Sequence, residues 1–444
     1  MKNKKNIIIS FLLTFFILSS YNTIHADNTQ NYDIITDSPE AYNSIVKSTN
    51  NNVSYSIPQI GFIHTQITNT QAQNFAAMPQ TIVSQTNTDD STTVSTKKTN
   101  TNQGSYNYWP IQWDMKKVTD NGNDYQYMIN NDKVTVGLVD SGIDLNHPSL
   151  KNSIIRSGSM NLVPKNGDNG QEKNETGNPN DIQDKIGHGT EVAGQITSTY
   201  NIKGVYPGVK LHIYRVLGAQ GSKPEWIMKG IVDSADNNDA VINVSMGKYL
   251  LDNQDPQNKA EFKAWKKTIS YAYRKGSIIV ASAGEDSLNE DNESALINHY
   301  MQLNKLTSIR GKVYDVPCHF KNVVSVGSTG PNDNISNFSN YGYKIQMYAP
   351  GGDTSLYSQY GPDKWNALDL NDKDLIATTY LNGQYTYTYG TSFAAPKVTG
   401  IIASFIAKYG WYDCPHQVVK YIERKTPRNN NGLRIISANI LKDN

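Results

Sequence analysis

The pattern of apolar and polar positions beyond Trp109 predicts short buried strands alternating with amphipathic helices. Near-continuous apolar runs, typical of strands covered on both faces, occupy 134–139, 209–216, 240–244, 277–282 and 323–326. Apolar residues with a helical period predict helices over 191–199, 224–237, 259–274 and 392–409. Alternation of this kind predicts an α/β fold with a largely parallel sheet.

The first residues have the pattern of an export signal. Lys2, Lys4 and Lys5 precede an apolar run from 7 to 18, and the chain turns polar after Ala26. A membrane anchor is the alternative, but twelve helical residues span only about 18 Å, against about 30 Å of hydrocarbon. We therefore predict a signal peptide over 1–26 and a secreted, extracellular protein without a stable membrane anchor.

Between the signal and Trp109 the chain has little material for a core. Strand-like alternation occurs at 53–57 and 60–63, which predicts a small module at best. Residues 84–107 consist almost wholly of small polar and charged types, whose burial cannot offset the entropy of ordering, so they are predicted to be a linker. A second polar tract, 165–184, is predicted to be a long surface loop.

Composition excludes several classes of protein. The apolar share is 37% with Tyr included, or about 38% when Gly is counted instead of Tyr, below the usual 45–50%. Part of the chain is therefore expected to pack no core. With 41 Lys and Arg against 40 Asp and Glu, the chain has no overall field to attract nucleic acid. Two cysteines without metal-ligand spacing exclude a disulfide scaffold and a zinc module.

Three stretches bring together the side chains of a nucleophilic hydrolase. Asp140 directly follows a predicted strand, His188 lies between two glycines at a predicted helix start, and Ser392 begins an apolar helix. Alone, each has a simpler interpretation: a turn, a loop residue and a helix cap. A serine hydroxyl is a weak nucleophile unless an imidazole takes its proton and a carboxylate orients that imidazole. The stretches supply one of each.

The motifs around these residues resemble those of the subtilisin-like serine peptidases. The resemblance runs from about Trp109 to the C-terminal helices and implies an α/β fold, with a doubly wound, mostly parallel sheet flanked by helices and preceded by a small α+β pro-region. It implies Asp140 as the orienting carboxylate, His188 as the general base and Ser392 as the nucleophile of peptide-bond hydrolysis. By the same resemblance, the substrate-binding residues are Ser245, Met246, Gly247, Ser282, Ala283, Gly284 and Asp286.

The departure from the family pattern that bears most on the chemistry is at Glu285. Glu285 falls where an asparagine amide normally donates to the oxyanion, beside the backbone N–H of Ser392. An ionised carboxylate there repels the developing charge, and losing one such donor costs about 2.7–4 kcal/mol. Glu285 either is protonated and donates, or swings outward, or marks a poorly active relative. The next residue, Asp286, falls where the family places a side chain at the rim of the primary specificity pocket, and the resemblance implies that an acid there favours a basic residue before the cut. A solvated loop acid is the alternative.

The resemblance also implies the organisation of the chain and its cofactors. Residues 27–107 correspond to a pro-region, including the linker 84–107, and 108–444 to the peptidase domain. No cofactor is required and no metal-ligating residue is assigned. Calcium is allowed by the family, but its usual strong site is not matched, because Ser149 replaces an aspartate and the loop 200–204 is short.

Within the family, the Trp-rich segment 108–115 and the acid at Asp286 are similar to lantibiotic leader peptidases of Gram-positive bacteria. The expected partners are a peptide or protein substrate, in this case a lantibiotic precursor with a basic residue before the cut, and the chain's own pro-region. A general extracellular degradative protease and a weakly active or inactive binding protein with the same fold remain the alternatives.

Overall fold

The computed structural model describes residues 28–49, 53–86, 106–252 and 254–442. The predicted signal peptide and most of the predicted linker lie outside these ranges. None of the helices within these ranges is both long enough and apolar enough to cross a membrane.

The N-terminal region is a small α+β unit. Its elements are β1 (Thr29–Thr36), α1 (Pro39–Ser48), β2 (Val53–Ile57), β3 (Phe62–Thr68), α2 (Asn69–Ala76) and β4 (Thr81–Gln85). The four antiparallel strands have the order β2-β3-β1-β4. The predicted strand 53–57 is β2, whereas the strand predicted at 60–63 begins only at Phe62, because Ile60 ends a 3-10 turn and Gly61 is left-handed. β4 extends to Gln85, so the polar tract predicted as a linker begins two residues too early at Ser84, whose hydroxyl donates to the Pro256 carbonyl at 2.7 Å.

The second region contains the α/β unit. In chain order, its first elements are α3 (Trp113–Val118), β5 (Thr135–Asp140), β6 (Ile154–Asn161), α4 (His188–Thr197), β7 (Lys210–Arg215), α5 (Pro224–Asp236), β8 (Val241–Val244), β9 (Lys248–Leu251) and α6 (Lys259–Arg274). They are followed by β10 (Ile278–Ser282), α7 (Glu293–Leu303), β11 (Val313–Val316), β12 (Val323–Thr329), β13 (Met347–Pro350), α8 (Ser355–Ala367), α9 (Asn371–Asp374), β14 (Ile376–Tyr380), β15 (Gln384–Thr388), α10 (Thr391–Tyr409) and α11 (Pro415–Lys425).

Seven parallel strands form the central sheet in the order β13-β12-β10-β8-β5-β7-β6. Successive side chains of β5 go to opposite faces: Val136 and Leu138 join the core under α4 and α10, whereas Val139 joins the core under α5 and α6. The sheet is thus covered on both faces, which is why its strands are near-continuous apolar runs. The predicted doubly wound α/β fold and the strands within it are confirmed.

The N-terminal unit packs on the outer surface of α5 and α6. Ile35, Ile57 and Phe62 join the same apolar core as Trp226 and Phe262 of the larger region. At the edge of this contact, Asp37 forms ion pairs with Lys263 at 2.6 Å and Lys267 at 2.9 Å. The two regions therefore share one continuous apolar interface.

The polar tract predicted as a surface loop is partly buried. Glu175 is buried and pairs with the buried Arg215 at 2.8 Å. Burial alone would raise the pKa of Glu175, but hydrogen bonds from Arg215 and the Gly177 N–H outweigh it and lower the pKa to about 2. Most of the tract is a surface loop as predicted, but Glu175 is not at the surface, because a charged residue can enter the interior when a distant residue supplies its counter-charge.

Candidate active site

The three predicted catalytic residues lie at the carboxyl edge of the sheet. Asp140 is the last residue of β5, His188 is the first of α4, and Ser392 is the second of α10. β5 and β8 are hydrogen-bonded neighbours at the centre of the sheet, where the order of connections reverses. Crevices at the carboxyl ends of strands in such sheets are the usual ligand sites.

Asp140 and His188 form a buried hydrogen-bonded pair. The distance from His188 Nδ1 to Asp140 Oδ1 is 2.8 Å, and the same oxygen accepts from the Ser141 N–H at 2.7 Å. Burial alone would lower the pKa of His188, but Asp140, with smaller contributions from Glu191 and Asp184, outweighs it and raises the pKa to about 9. The pair is arranged to hold the imidazole in one orientation and to stabilise its protonated form.

Ser392 shares a cleft of about 270 Å³ with His188. Its hydroxyl donates to the Ser245 carbonyl at 3.1 Å, while the Ser245 hydroxyl donates to the Ser392 carbonyl at 2.8 Å. Asn243 fixes Ser245 in turn, through a hydrogen bond of 2.9 Å from its amide. These hydrogen bonds connect the end of β8 to the start of α10 at Ser392.

The cleft brings together nearly all residues predicted to bind substrate. Its lining includes Ser245, Met246, Gly247, Ser282, Gly284, Glu285 and Asp286. Ala283 is the exception, because its side chain is fully buried in the core beneath α5 and α6. The side chain of Ala283 therefore does not face the cleft, and a role of its backbone in substrate binding stays a prediction.

The Glu285 side chain lies in the cleft, with its carboxyl group against the start of α10. Its Oε1 accepts from the Thr391 N–H at 2.9 Å, and the Ser392 N–H contributes a further hydrogen bond to the carboxyl group. Although the residue as a whole is exposed, protein atoms crowd the carboxyl group, and this loss of hydration raises its pKa. Of the alternatives that the sequence left open for Glu285, an outward-swinging side chain is not the one observed.

Asp286 lines the same cleft but is exposed and already engaged. Its carboxylate accepts from the Tyr249 hydroxyl at 2.8 Å and lies 3.4 Å from His299 Nε2. These partners hold the carboxylate at the rim of the cleft. Its effect on substrate preference stays a prediction.

A second acid at the cleft, Asp315, has no signal in the sequence. It is buried on β11 and lines the cleft. A Cβ added at Gly247 would lie 3.1 Å from Asp315 Oδ1, and one added at Gly284 would lie 3.3 Å from Oδ2. The carboxyl group thus lies directly behind two glycines of the cleft wall.

The neighbours of Asp315 leave it without a counter-charge. His319 accepts the Asp315 N–H at its Nδ1 and directs its Nε2 to Glu290 at 2.6 Å. Asp315 Oδ2 is buried without a hydrogen-bond partner, and none of the ion pairs among the described residues involves Asp315. Burial and the nearby Glu290 raise the pKa of Asp315 well above its usual range. A cation that enters the cleft would favour the carboxylate form of Asp315, and so would oppose the effects of burial and of Glu290 on its pKa.

Comparisons with known proteins identify the family. A sequence model of the subtilase family (Peptidase_S8) matches residues 131–437, which include all three candidate catalytic residues. The chain belongs to the subtilase family. It is a serine peptidase of the subtilisin type, and the predicted resemblance is confirmed.

Several relatives of this peptidase have assigned roles. It is 38% identical over 441 residues to the epidermin leader peptide-processing serine protease EpiP of Staphylococcus epidermidis, covering 94% of this chain and 93% of that protein. It is 43% identical over 347 residues to the nisin leader peptide-processing serine protease NisP of Lactococcus lactis subsp. lactis, covering 77% of this chain but 50% of that protein. A crystal structure of Staphylococcus aureus EpiP matches with a TM-score of 0.84 at 33% identity, covering 93% and 99% of the two chains.

Asp184 fixes the backbone on both sides of His188. One of its oxygens accepts from the N–H groups of Ile186 and Gly187, and the other accepts from the N–H and hydroxyl of Thr190. Ser141, which follows Asp140, donates its hydroxyl to Asp184 at 2.9 Å and accepts the Gly189 N–H at 2.8 Å. The start of α4 is thus fixed directly to the end of β5. Because the N-cap residue is Gly187, the Asp184 carboxylate supplies the acceptor for the Thr190 N–H that a glycine lacks.

A buried lysine links α10, which carries Ser392, to two neighbouring helices. Lys397 lies on α10 and is fully buried, 2.9 Å from Asp114 of α3 and 2.6 Å from the Gln195 side-chain oxygen of α4. It also donates to the Phe393 carbonyl at 3.2 Å. Burial lowers the pKa of Lys397, against the opposing effect of Asp114. One side chain therefore joins three helices around the site.

Replacing Lys397 by Met is expected to lower the free energy of unfolding by about 3–5 kcal/mol, because it leaves Asp114 as a buried charge without a partner. Urea unfolding measures this. The double variant Asp114→Leu/Lys397→Met is expected to recover much of the loss, since no lone charge remains. An unchanged unfolding midpoint in Lys397→Met would contradict the role assigned to this pair.

The loops predicted to lack the family's calcium site are joined by protein groups. The Ser149 hydroxyl donates to the Tyr200 carbonyl and lies 2.8 Å from the Tyr385 hydroxyl. Within the described ranges, no group of three or more His, Cys, Asp or Glu side chains is placed to hold a metal ion.

Proposed function

We propose that this subtilase is a serine endopeptidase in which Asp140, His188 and Ser392 act as a catalytic triad. The 2.8 Å hydrogen bond between His188 and Asp140, beside Ser392 in one cleft, is the observation that carries the proposal. His188 takes the Ser392 hydroxyl proton as Oγ bonds to the scissile carbonyl carbon. His188 then gives that proton to the departing amine as the C–N bond breaks. Water hydrolyses the acyl-enzyme by the same steps in reverse.

Attack requires the Ser392 hydroxyl to leave the Ser245 carbonyl, to which it donates at 3.1 Å. The hydrogen bonds from Asn243 to Ser245 and from Ser245 to the Ser392 carbonyl do not involve the Ser392 hydroxyl, so they can persist when it turns away. Because hydrogen bonds of catalytic groups are often long or misaligned before substrate binds, the observed orientation is compatible with this role.

We further propose that the substrate is a lantibiotic precursor cut after its leader, with a basic residue before the scissile bond. The similarity to NisP and EpiP supports the substrate class. The chemistry of the cleft supports the basic residue, because Asp315 is buried without a counter-charge and Asp286 lies at the rim. A guanidinium group offers paired donors suited to a carboxylate of this kind.

For the whole chain we propose export under a signal peptide at 1–26, followed by removal of 27–107 as a pro-region that first assists folding. The apolar contact of the N-terminal unit with α5 and α6 supports a folding role. The polar tract after β4 is suited to proteolytic release. We propose that the chemistry needs no cofactor, because the three side chains supply the base, the acid and the nucleophile.

The deciding experiment compares two substrates with the full chain after maturation. We expect cleavage of a lantibiotic precursor at one bond after its leader, at a kcat/KM well above that for sites in casein, and labelling of Ser392 by a fluorophosphonate. Equal degradation of both substrates would favour the general extracellular protease. A failure of matured protein to label at Ser392 would favour the binding protein with a peptidase fold.

A further inference from the structure

The carboxyl group of Glu285 occupies the backbone donors at the start of α10. It accepts the Thr391 N–H at 2.9 Å and a hydrogen bond from the Ser392 N–H. A Cβ added at Gly390 would lie only 2.4 Å from Glu285 Oε1, which shows how closely the carboxyl group is packed against this turn. The N–H of a nucleophilic serine is the usual donor to the oxyanion in acyl transfer. Glu285 therefore stands where a substrate carbonyl oxygen has to bind.

We propose that Glu285 is a catalytic residue whose two protonation states have opposite effects. As a carboxylate it holds the Ser392 N–H that the substrate oxygen needs; as a neutral acid it releases that N–H and donates its own O–H to the oxygen. This inference rests on the proposed peptidase mechanism and assigns the second donor of its oxyanion hole.

The charges around Glu285 decide which form is present. Restricted hydration is the main influence and favours the neutral acid, as does Asp286 on the same loop. His188 on α4, when protonated, and the N–H groups of α10 favour the carboxylate. From β11, Asp315 adds a further carboxyl group to the cleft. The ammonium of Lys248 on β9 is paired with Glu261 at 3.0 Å, and Tyr389 contributes a phenol. The net result raises the pKa of Glu285, so its neutral form persists to higher pH than in an ordinary glutamate.

The proton count of the reaction is unchanged by this role. The Ser392 proton moves to His188 as Oγ bonds to the carbonyl carbon, and the carbonyl π electrons move to oxygen. That oxyanion accepts hydrogen bonds from the Ser392 N–H and the Glu285 O–H. When the C–N bond breaks, the electrons return to the carbonyl and His188 protonates the amine. Glu285 keeps its proton throughout, so it is needed in its neutral form for every turnover.

The test compares three proteins across pH 5 to 10: the wild type, Glu285→Gln and Glu285→Ala. Each is matured from the full chain and assayed for kcat on one short peptide ester that contains no leader. Gln has the size of Glu and donates at every pH, so Glu285→Gln is expected to exceed Glu285→Ala by about 10²-fold throughout. Both variants remove the same charge and therefore shift the titration of His188 alike. The wild type is expected to approach Glu285→Gln at the acid end and to fall to the level of Glu285→Ala or below at the alkaline end.

Two outcomes would overturn the inference: equal kcat for the Gln and Ala variants, or a wild type that follows one variant over the whole range. Glu293→Gln, the same substitution at an exposed position on α7, is the matched control and should leave kcat unchanged at each pH. Circular dichroism verifies that each variant is folded. If the wild type neither hydrolyses the ester nor labels at Ser392, the peptidase mechanism itself fails. Loss of the pH-dependent difference alone refutes only the role of Glu285.

Discussion

Replacing Ser392 with Ala is expected to lower kcat by about 10⁶-fold, the size of loss found when the nucleophile of a subtilisin triad is removed. The reason is that no acyl-enzyme forms, so hydrolysis depends on the binding cleft and the remaining donors alone. Cleavage of a peptide with arginine before the scissile bond, followed over days at high enzyme concentration, measures the residual rate. Ser404→Ala is a matched control, because Ser404 lies on the same helix but is buried in the core.

The two partners of Ser392 are expected to show that the three residues act as a unit. His188→Ala alone is expected to cost about as much as Ser392→Ala, and the double variant little more than either. Asp140→Asn is expected to lower kcat by about 10⁴-fold, because an amide favours the wrong tautomer of His188. Losses that multiply in the double variant would show that Ser392 and His188 act independently, contrary to the proposed triad.

Sequence reasoning was sufficient for the fold and for the residues that meet at the carboxyl edge of the sheet. Asp140 and Ser392 are each next to a local pattern that predicts a strand or a helix, and the order of elements along the chain then brings them together. The helix boundaries differ by only a few residues. α4, for example, begins at His188, where the glycine-flanked histidine predicted a helix start, whereas the apolar period alone placed that start at residue 191.

What the sequence did not predict are polar groups whose partners are distant in the chain. Glu175 is a polar loop residue by every local measure, yet it is buried against Arg215. Lys397 occupies a position on α10 that an apolar pattern would fill, and its counter-charge Asp114 lies on α3. For the same reason, the sequence indicated Asp286 but not Asp315 as the acid of the cleft. Asp286 is next to the motif residues, whereas Asp315 is brought to the cleft by the pairing of β11 with β9.

Asp315→Asn is therefore expected to change substrate preference more than any change at Asp286. Removing one partner of a buried charged pair costs about 2–5 kcal/mol, so kcat/KM for a substrate with arginine before the cut should fall by about 30-fold to 5000-fold. The same substrate with leucine in that place should change by less than about tenfold, because leucine makes no ion pair. Parallel assays of the two peptides measure the ratio.

Asp286→Asn is the matched control for this prediction, since it makes the same substitution in the same cleft. Asp286 is exposed, is held by Tyr249 and His299, and faces water that screens its charge. Exposed ion pairs contribute about 0–1 kcal/mol, so the arginine-to-leucine ratio should fall by no more than about fivefold. The opposite ranking, a large loss in Asp286→Asn with Asp315→Asn nearly unchanged, would mean that the arginine binds at the rim and that Asp315 remains protonated behind the glycines.

A peptide with lysine in place of arginine before the cut separates the two sites further. A buried carboxylate behind Gly247 and Gly284 should discriminate between the planar guanidinium and the compact ammonium, whereas an exposed acid at the rim should accept both alike.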